Sequence, residues 1–191
     1  MSHEKVYPVD RSQATHSLID KAGYQRMYQQ SIEQPTEFWA EQANQFLGFF
    51  QTWSAVYEGE FRNADVKWFK DAKLNVCWNC IDRHLPQRSD QTAFIWEGDE
   101  PDTSLHITYQ DLHQAVCRLA NVLKQRGVKK GDRVCIYMPM IPEAVVAMLG
   151  CARIGAVHSV VFGGFASNEL ATRINDAKPK VIVSASCGAV D

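Results

Sequence analysis

The feature of this chain most suited to chemistry is a pair of consecutive glycines, Gly163 and Gly164, flanked by Phe162 and Phe165. They follow a predicted strand over 157–162 and precede a predicted helix that Ser167 would cap. Loops at this end of a parallel strand are where open α/β sheets bind ligands. Glycine lets the backbone approach a ligand closely or take positive φ, and a helix N-terminus favours phosphate. The same glycines also suit a tight turn that only packs two elements together, so spacing alone leaves both interpretations open.

A second candidate is the pair Cys77 and Cys80, whose C-x-x-C spacing is typical of redox and metal sites. Asp82 and His84 could complete a metal shell. A structural zinc site usually draws its ligands from two separated pairs, and the sequence holds no second pair. A thioredoxin-like motif would have to follow a strand and open a helix, which the predicted helix 75–85 only loosely allows. We therefore expect two partly buried thiols and no metal site.

Acid and base groups stand side by side at Asp82, Arg83 and His84. Sequence neighbours on a helix point in different directions, and no nucleophile is paired with these residues. A solvated or structurally paired face is therefore expected, and no catalytic residue is assigned. Ligand spacing is also missing around three other histidines: His106, His113 and His158.

Composition and charge are those of an ordinary globular protein. The 191 residues are 46% hydrophobic and 22% charged with a net charge of -2, which favours neither nucleic acid nor a membrane surface as partner. Six scattered cysteines fit reduced thiols in the cytoplasm. The polar N-terminus lacks the apolar core of a signal peptide. Prolines and charges interrupt the apolar run 134–166, which argues against a membrane-spanning helix.

The first 90 residues predict a helical and irregular extension. Helices are expected over 23–34 and 35–46, the second beginning at Pro35 with apolar residues near a 3.6 period. The segment 50–73 has aromatic residues at Trp53, Tyr57, Phe61, Trp68 and Phe69 without a clean period. It is interpreted as irregular chain that lies over a larger body and is pinned by those aromatics. One more helix is expected over 75–85.

The second half alternates between strand and helix patterns. Strands are predicted over 92–96, 106–108, 133–138, 157–162 and 181–184, and helices over 109–126, 142–154 and 167–177. Thr108 is the expected N-cap of the first of these helices, with Asp111 at its third position and Gly127 as its stop. The alternation predicts an α/β fold with a Rossmann-like, mainly parallel sheet flanked by helices. The sheet looks unfinished after its last strand.

Several stretches of this half closely resemble the acetyl-CoA synthetase family: YMPMIPEA at 137–144, CARIGAVHSVVFGGFA at 151–166 and SASCG at 184–188. Further matches lie upstream: FWAEQA at 38–43, WFKDAKLNVCWNCIDRHL at 68–85 and FIWEGDEP at 94–101. The resemblance covers residues 20–191. It identifies the chain as a member of the adenylate-forming superfamily.

The resemblance implies a parent enzyme that joins acetate to ATP, with Mg²⁺ assisting, to give acetyl-AMP and pyrophosphate. The acetyl group would then pass to coenzyme A with release of AMP, so the implied partners are small-molecule substrates. By the same resemblance, Phe162, Gly163 and Gly164 line the path by which coenzyme A reaches the site. There a glycine lets pantetheine and adenine pass close to the backbone.

The residue pattern changes at about residue 90, and the resemblance implies what each part is. Residues 1–90 would be the N-terminal extension, and residues 91–191 the first, truncated part of the AMP-binding domain. The sequence holds no Ser/Thr/Gly-rich phosphate loop ending in Lys-Gly, and none of the family's acidic ribose motif, acetate-pocket Trp, hinge or C-terminal adenylation Lys. The basic residues with which this family binds the coenzyme A phosphates would fall just beyond 187–191. We therefore expect a fragment that is inactive alone and holds no tightly bound cofactor.

Three alternatives stay open. Propionyl-CoA synthetases share the YMPM and RIGA-HSVVFGGFAS motifs, although WEGD at 96–99 favours acetate. A stand-alone module could use Gly163 and Gly164 to bind a nucleotide or coenzyme A without turnover. A metal or redox domain built on Cys77 and Cys80 is the third.

Overall fold

The computed structural model describes residues 7–8 and 17–186, and the chain divides into two units, Met1–Lys73 and Leu74–Asp191. The polar N-terminus, apart from residues 7–8, and the last two letters of SASCG lie outside the described residues.

The described part of the first unit contains two consecutive helices, α1 over Lys21–Glu33 and α2 over Pro35–Phe46. The Asp20 carboxylate caps α1 by accepting a hydrogen bond from the Gly23 amide at 2.6 Å. Pro35 occupies the first turn of α2, where its missing N–H costs nothing. Both helices confirm the prediction, because capping residues and a 3.6-residue apolar period are local features of the sequence.

The segment predicted as irregular is instead an antiparallel hairpin. Strand β1 spans Ala55–Glu60 and β2 spans Asp65–Lys70, joined by a 3₁₀ turn over Phe61–Asn63. Tyr57 pairs with Trp68 across the strands, with ring centroids 5.0 Å apart, and the Lys70 ammonium lies 2.6 Å from the Glu58 carboxylate. Cross-strand pairs of this kind stabilise a sheet. Most positions of both strands are exposed or only partly buried, so neither shows the apolar–polar alternation of a strand with one buried face. The irregular interpretation was therefore wrong.

The second unit begins with short helical pieces rather than with one helix over 75–85. The chain forms α3 over Val76–Cys80, a 3₁₀ turn over Asp82–His84 and α4 over Leu85–Arg88. The break falls at Ile81, whose φ of -125° and ψ of -67° are not helical and whose side chain is fully buried. Burying Ile81 takes precedence over continuing the helix, so the single-helix prediction was wrong.

An antiparallel pair and a long helix follow. Strand β3 over Thr92–Glu97 pairs with β4 over Ser104–Thr108, and α5 runs over Tyr109–Gln125. The predicted N-cap is confirmed as a capping box: the Asp111 amide donates to the Thr108 hydroxyl at 3.1 Å, and the Thr108 amide donates to the Asp111 carboxylate at 3.3 Å.

The rest of the unit builds a parallel sheet, and its strands match the predicted bounds. The elements are β5 over Arg133–Met138, α6 over Pro142–Arg153, β6 over Val157–Phe162, α7 over Ser167–Ala177 and β7 over Val181–Ser184. Within the described residues the strand order is β6–β5–β7, all parallel. Because such crossovers are right-handed, this order places α6 and α7 on opposite faces.

The α/β class is therefore confirmed, although parallel pairing is confined to this sheet and the remaining described strands pair antiparallel. Two clusters of buried side chains support the unit. One lies between α5, β5 and α6 and contains Leu123, Val134 and Cys151, and the other surrounds Cys77 and Ile81. In the described part of the chain, no helix combines the length and apolar character needed to cross a membrane.

Candidate functional site

The carboxyl ends of the three parallel strands form the candidate site. Strand β5 is central, and the chain passes first to one side of it and then to the other, which makes this edge a topological switch point of the kind that binds ligands in open α/β sheets. The loop after β5 covers residues 139–141. The loop after β6 continues from Phe162 through Gly163 and Gly164 to Phe165, and we call residues 162–165 the glycine loop.

Gly163 is a glycine because the loop crosses the end of β5 too closely for a side chain. A Cβ at this position would lie 3.0 Å from the Met138 carbonyl oxygen and 3.2 Å from the Pro139 nitrogen. These are backbone atoms, so a side chain could be accommodated only by moving one loop away from the other. Positive φ plays no part, because neither Gly163 nor Gly164 adopts it. The close approach observed here is to the end of β5, so it accounts for the glycine by packing, and the predicted approach of a ligand to this backbone stays a prediction.

Gly164 is crowded by a side chain rather than by backbone. A Cβ there would meet the Phe162 ring at 2.6 Å. That ring packs edge-to-face on Phe165, with centroids 5.7 Å apart, while Phe162 remains 63% exposed. The loop thus presents an exposed aromatic ring beside bare backbone, a surface suited to a ligand with both flat and chain-like parts.

The C-terminal side of the glycine loop is held by β5 and α7. The Tyr137 hydroxyl donates a hydrogen bond to the Phe165 carbonyl oxygen at 3.1 Å, and the Arg173 guanidinium lies 4.4 Å from the centre of the Phe165 ring. Helix α7 starts at Ser167 with Ala166 at its N-cap and no side-chain cap. The expectation that Ser167 caps this helix was wrong, because Ser167 is already its first helical residue.

The neighbouring loop after β5 is anchored from β3. The Trp96 indole N–H donates to the Met140 carbonyl oxygen at 2.7 Å. Met140 itself is 83% exposed, so the bond holds the backbone and leaves the side chain in solvent. Trp96 lies in the WEGD stretch singled out from the sequence, and its contact with this edge was not foreseen.

The C-x-x-C pair does not form a joint site. Cys77 is fully buried and burial raises the pKa of its thiol, whereas Cys80 is exposed. The Cys77 sulfur accepts a hydrogen bond from Arg153 at 3.3 Å. A protonated, buried thiol is a poor redox nucleophile. Among the described residues, no group of three or more His, Cys, Asp or Glu side chains could hold a metal.

Asp82 is the residue of the acid-base trio that the fold does use. Its carboxylate receives two hydrogen bonds from Arg153, at 2.6 and 2.8 Å, and lies 3.5 Å from His113 Nε2. Burial raises the pKa of Asp82, but the Arg153 bonds and charge outweigh it and leave this pKa lowered. The expected structurally paired face is thus observed. The Arg153 partner was missed, and its only signal was a lone charge ending an apolar helix.

Two family models of related enzymes match consecutive stretches of the chain. The family model described as "AMP-binding enzyme" matches residues 81–190, and the model described as "Acetyl-coenzyme A synthetase N-terminus" matches residues 24–80. The chain is 56% identical over 188 residues to "Acetyl-coenzyme A synthetase" of Alkalilimnicola ehrlichii, covering 98% of this chain and 29% of the relative. It is 57% identical over 183 residues to "Acetyl-coenzyme A synthetase 2" of Pseudomonas aeruginosa, and this match covers 96% of this chain and 28% of the relative. The chain therefore spans less than a third of the length of these relatives.

Proposed function

Because the chain belongs to the family of AMP-binding enzymes, we propose that it forms the N-terminal part of an acetate–CoA ligase. The observation that carries this proposal is the 56% identity to an acetyl-CoA synthetase over 98% of the chain. Support comes from the match of residues 24–80 to the N-terminal model of the same enzymes. Neither half of the chain departs from this assignment.

The proposed reaction solves the problem that an acetate oxygen is a poor leaving group. A carboxylate oxygen of acetate attacks the α-phosphorus of ATP, and the bond to pyrophosphate breaks. The thiol of coenzyme A loses its proton and attacks the carbonyl carbon of the resulting acetyl-AMP. AMP then leaves with the electron pair of the acyl–oxygen bond and carries the acetate oxygen with it.

In this proposal Phe162, Gly163 and Gly164 line the path of coenzyme A. The supporting observations are the position of the glycine loop at the switch point of the sheet, its bare backbone and the exposed Phe162 ring. Coenzyme A combines a flexible pantetheine chain with a flat adenine, which fits such a surface. The loop is assigned to the second half-reaction alone, and no catalytic residue is assigned within the described residues.

The proposal includes Mg²⁺ as counter-ion of the ATP phosphates, but the described residues do not fit a site for it. Among them, no group of three or more His, Cys, Asp or Glu side chains is arranged so that it could hold a metal ion. None is therefore given a role in metal binding. The proposal also keeps the division at residue 90. It keeps a cytoplasmic location as well, which the free state of every described cysteine supports.

The acyl preference is tested by steady-state kinetics on the intact protein with ATP, coenzyme A and either acetate or propionate. We expect AMP and a CoA thioester with both acids and a higher kcat/KM for acetate. A higher value for propionate would replace the assignment by its nearest alternative. Binding of coenzyme A without any thioester would favour the non-catalytic module. Residues 1–191 alone, assayed beside the intact protein, are expected to form no AMP.

A further inference from the structure

Phe165 is held from two sides, and both contacts come from outside the glycine loop. The hydroxyl of Tyr137, on the central strand β5, donates to the Phe165 carbonyl oxygen at 3.1 Å. The guanidinium of Arg173, two turns into α7, covers the Phe165 ring at 4.4 Å from its centre. One contact therefore fixes the backbone of this residue, and the other fixes its side chain.

Arg173 is itself oriented by its own helix. Its Nη1 atom donates to the Glu169 carboxylate at 2.9 Å and to the Glu169 carbonyl oxygen at 3.0 Å. Since the guanidinium is planar, bonds along its edge leave its face free to stack on a ring. The Glu169 contacts thus set the plane that meets Phe165.

The loop needs such anchors because glycine resists ordering. Two consecutive glycines lose more backbone freedom on folding than any other pair, and they offer no side chain of their own to hold them. Gly163 is confined on one side by the end of β5. Beyond Gly164, the next anchored residue is Phe165, whose ring also supports the exposed Phe162 ring at 5.7 Å.

We propose that Tyr137 and Arg173 are positioning residues for the glycine loop, acting through Phe165 to fix the shape of the coenzyme A path. This inference rests on the proposed function of that loop. Neither residue is assigned a contact with coenzyme A or a part in the chemistry. Their effect falls on binding of coenzyme A, and acetyl-AMP formation is left intact.

The test uses the intact protein and two variants that remove one anchor each. Tyr137→Phe deletes only the hydroxyl, and Arg173→Met keeps the length of the side chain without its charge. We expect each to raise the KM for coenzyme A by about fivefold, the cost of one ordinary contact. Acetate-dependent exchange of pyrophosphate into ATP should stay within about twofold of the wild-type rate, because acetyl-AMP formation does not depend on these two contacts.

Three comparisons separate positioning from a general structural role. Arg173→Lys, which keeps a cation near the ring, should have a KM for coenzyme A much closer to the wild-type value than Arg173→Met has. The double variant should raise the KM by less than the product of the single effects, because both residues act on Phe165. Tyr109→Phe and Arg118→Met, which lie on α5 away from the loop, should leave the KM unchanged. An unchanged KM in both anchor variants, or an equal loss of pyrophosphate exchange, would overturn the inference.

Failure of the proposed function itself would be visible in the wild type as absence of pyrophosphate exchange and of thioester formation. Hydrogen exchange then decides the inference independently of activity. Amides of residues 163–166 should exchange faster in Tyr137→Phe and Arg173→Met than in the two α5 controls. Equal exchange rates would show that these contacts do not hold the loop.

Discussion

Replacing Gly163 by valine is expected to separate the two half-reactions of the intact protein. The new side chain would meet backbone atoms of Met138 and Pro139, which lie 3.0 to 3.2 Å from the position of its Cβ. The glycine loop must then lift from the end of β5. We expect the KM for coenzyme A to rise by about ten- to a hundredfold, the usual cost of misplacing a binding surface by an ångström. Initial rates at varied coenzyme A give this KM, and acetate-dependent pyrophosphate exchange should stay near the wild-type rate.

A graded series controls this prediction. Gly163→Ala needs a shift of only a few tenths of an ångström and should have a smaller effect than valine. Gly150→Ala adds the same methyl in helix α6, where it meets Leu119 at an ordinary 3.4 Å, and should leave the KM for coenzyme A unchanged. Equal loss of pyrophosphate exchange and thioester formation in Gly163→Val would contradict a role confined to coenzyme A.

Replacing Arg153 by methionine is expected to destabilise the segment that carries α3 and α4. The variant leaves the Asp82 carboxylate, only 20% exposed, without its bidentate partner. Removing one partner of such an ion pair lowers the free energy of unfolding by about 2–4 kcal/mol where the site is partly exposed to solvent. Amides of residues 76–88 in the intact protein should therefore exchange about 30-fold faster or more. Hydrogen exchange followed by mass spectrometry measures this directly.

The charge of Asp82 provides the control. Its lowered pKa means that the pair stabilises the fold above the ordinary carboxyl value of 3.8 and stops doing so as the pH falls through the lowered value. The difference between wild type and Arg153→Met should thus be largest near neutral pH and shrink in acid. Adding Asp82→Asn to Arg153→Met should recover part of the loss, whereas Arg118→Met, on an exposed helix face, should cost little. A difference that does not depend on pH would rule out the pair as its source.

The elements that the sequence predicts well are those specified by their own residues. Helix α5 carries its capping box, its apolar face and its stop at Gly127 within one stretch, and Gly127 has the positive φ that such a stop requires. The strands of the parallel sheet are short apolar runs bounded by turns, and their bounds matched the prediction. Local signals were sufficient in both cases.

The elements that escaped prediction depend on partners distant in sequence. The hairpin of β1 and β2 is held by pairs such as Tyr57 with Trp68, which neither strand reveals alone. The break at Ile81 follows from a buried position that only the folded unit provides.

The candidate site shows the same division. The sequence predicted that Gly163 and Gly164 follow a parallel strand at the carboxyl edge of the sheet, and the structure places them there, because the geometry of parallel strands is general. The reason for Gly163, contact with Met138 and Pro139, needed the fold. The pairing of Asp82 with Arg153, 71 positions later, could not be found by spacing on one helix.

The most direct test of the account follows the oxygen atoms of acetate. The intact protein is given ATP, coenzyme A and acetate labelled with ¹⁸O in both carboxyl oxygens, and the products are analysed by mass spectrometry. Attack of acetate on the α-phosphorus and release of AMP by coenzyme A predict one ¹⁸O in AMP for each acetyl-CoA formed. Unlabelled AMP, or a thioester formed with ADP and phosphate, would contradict an acetate–CoA ligase that works through acetyl-AMP.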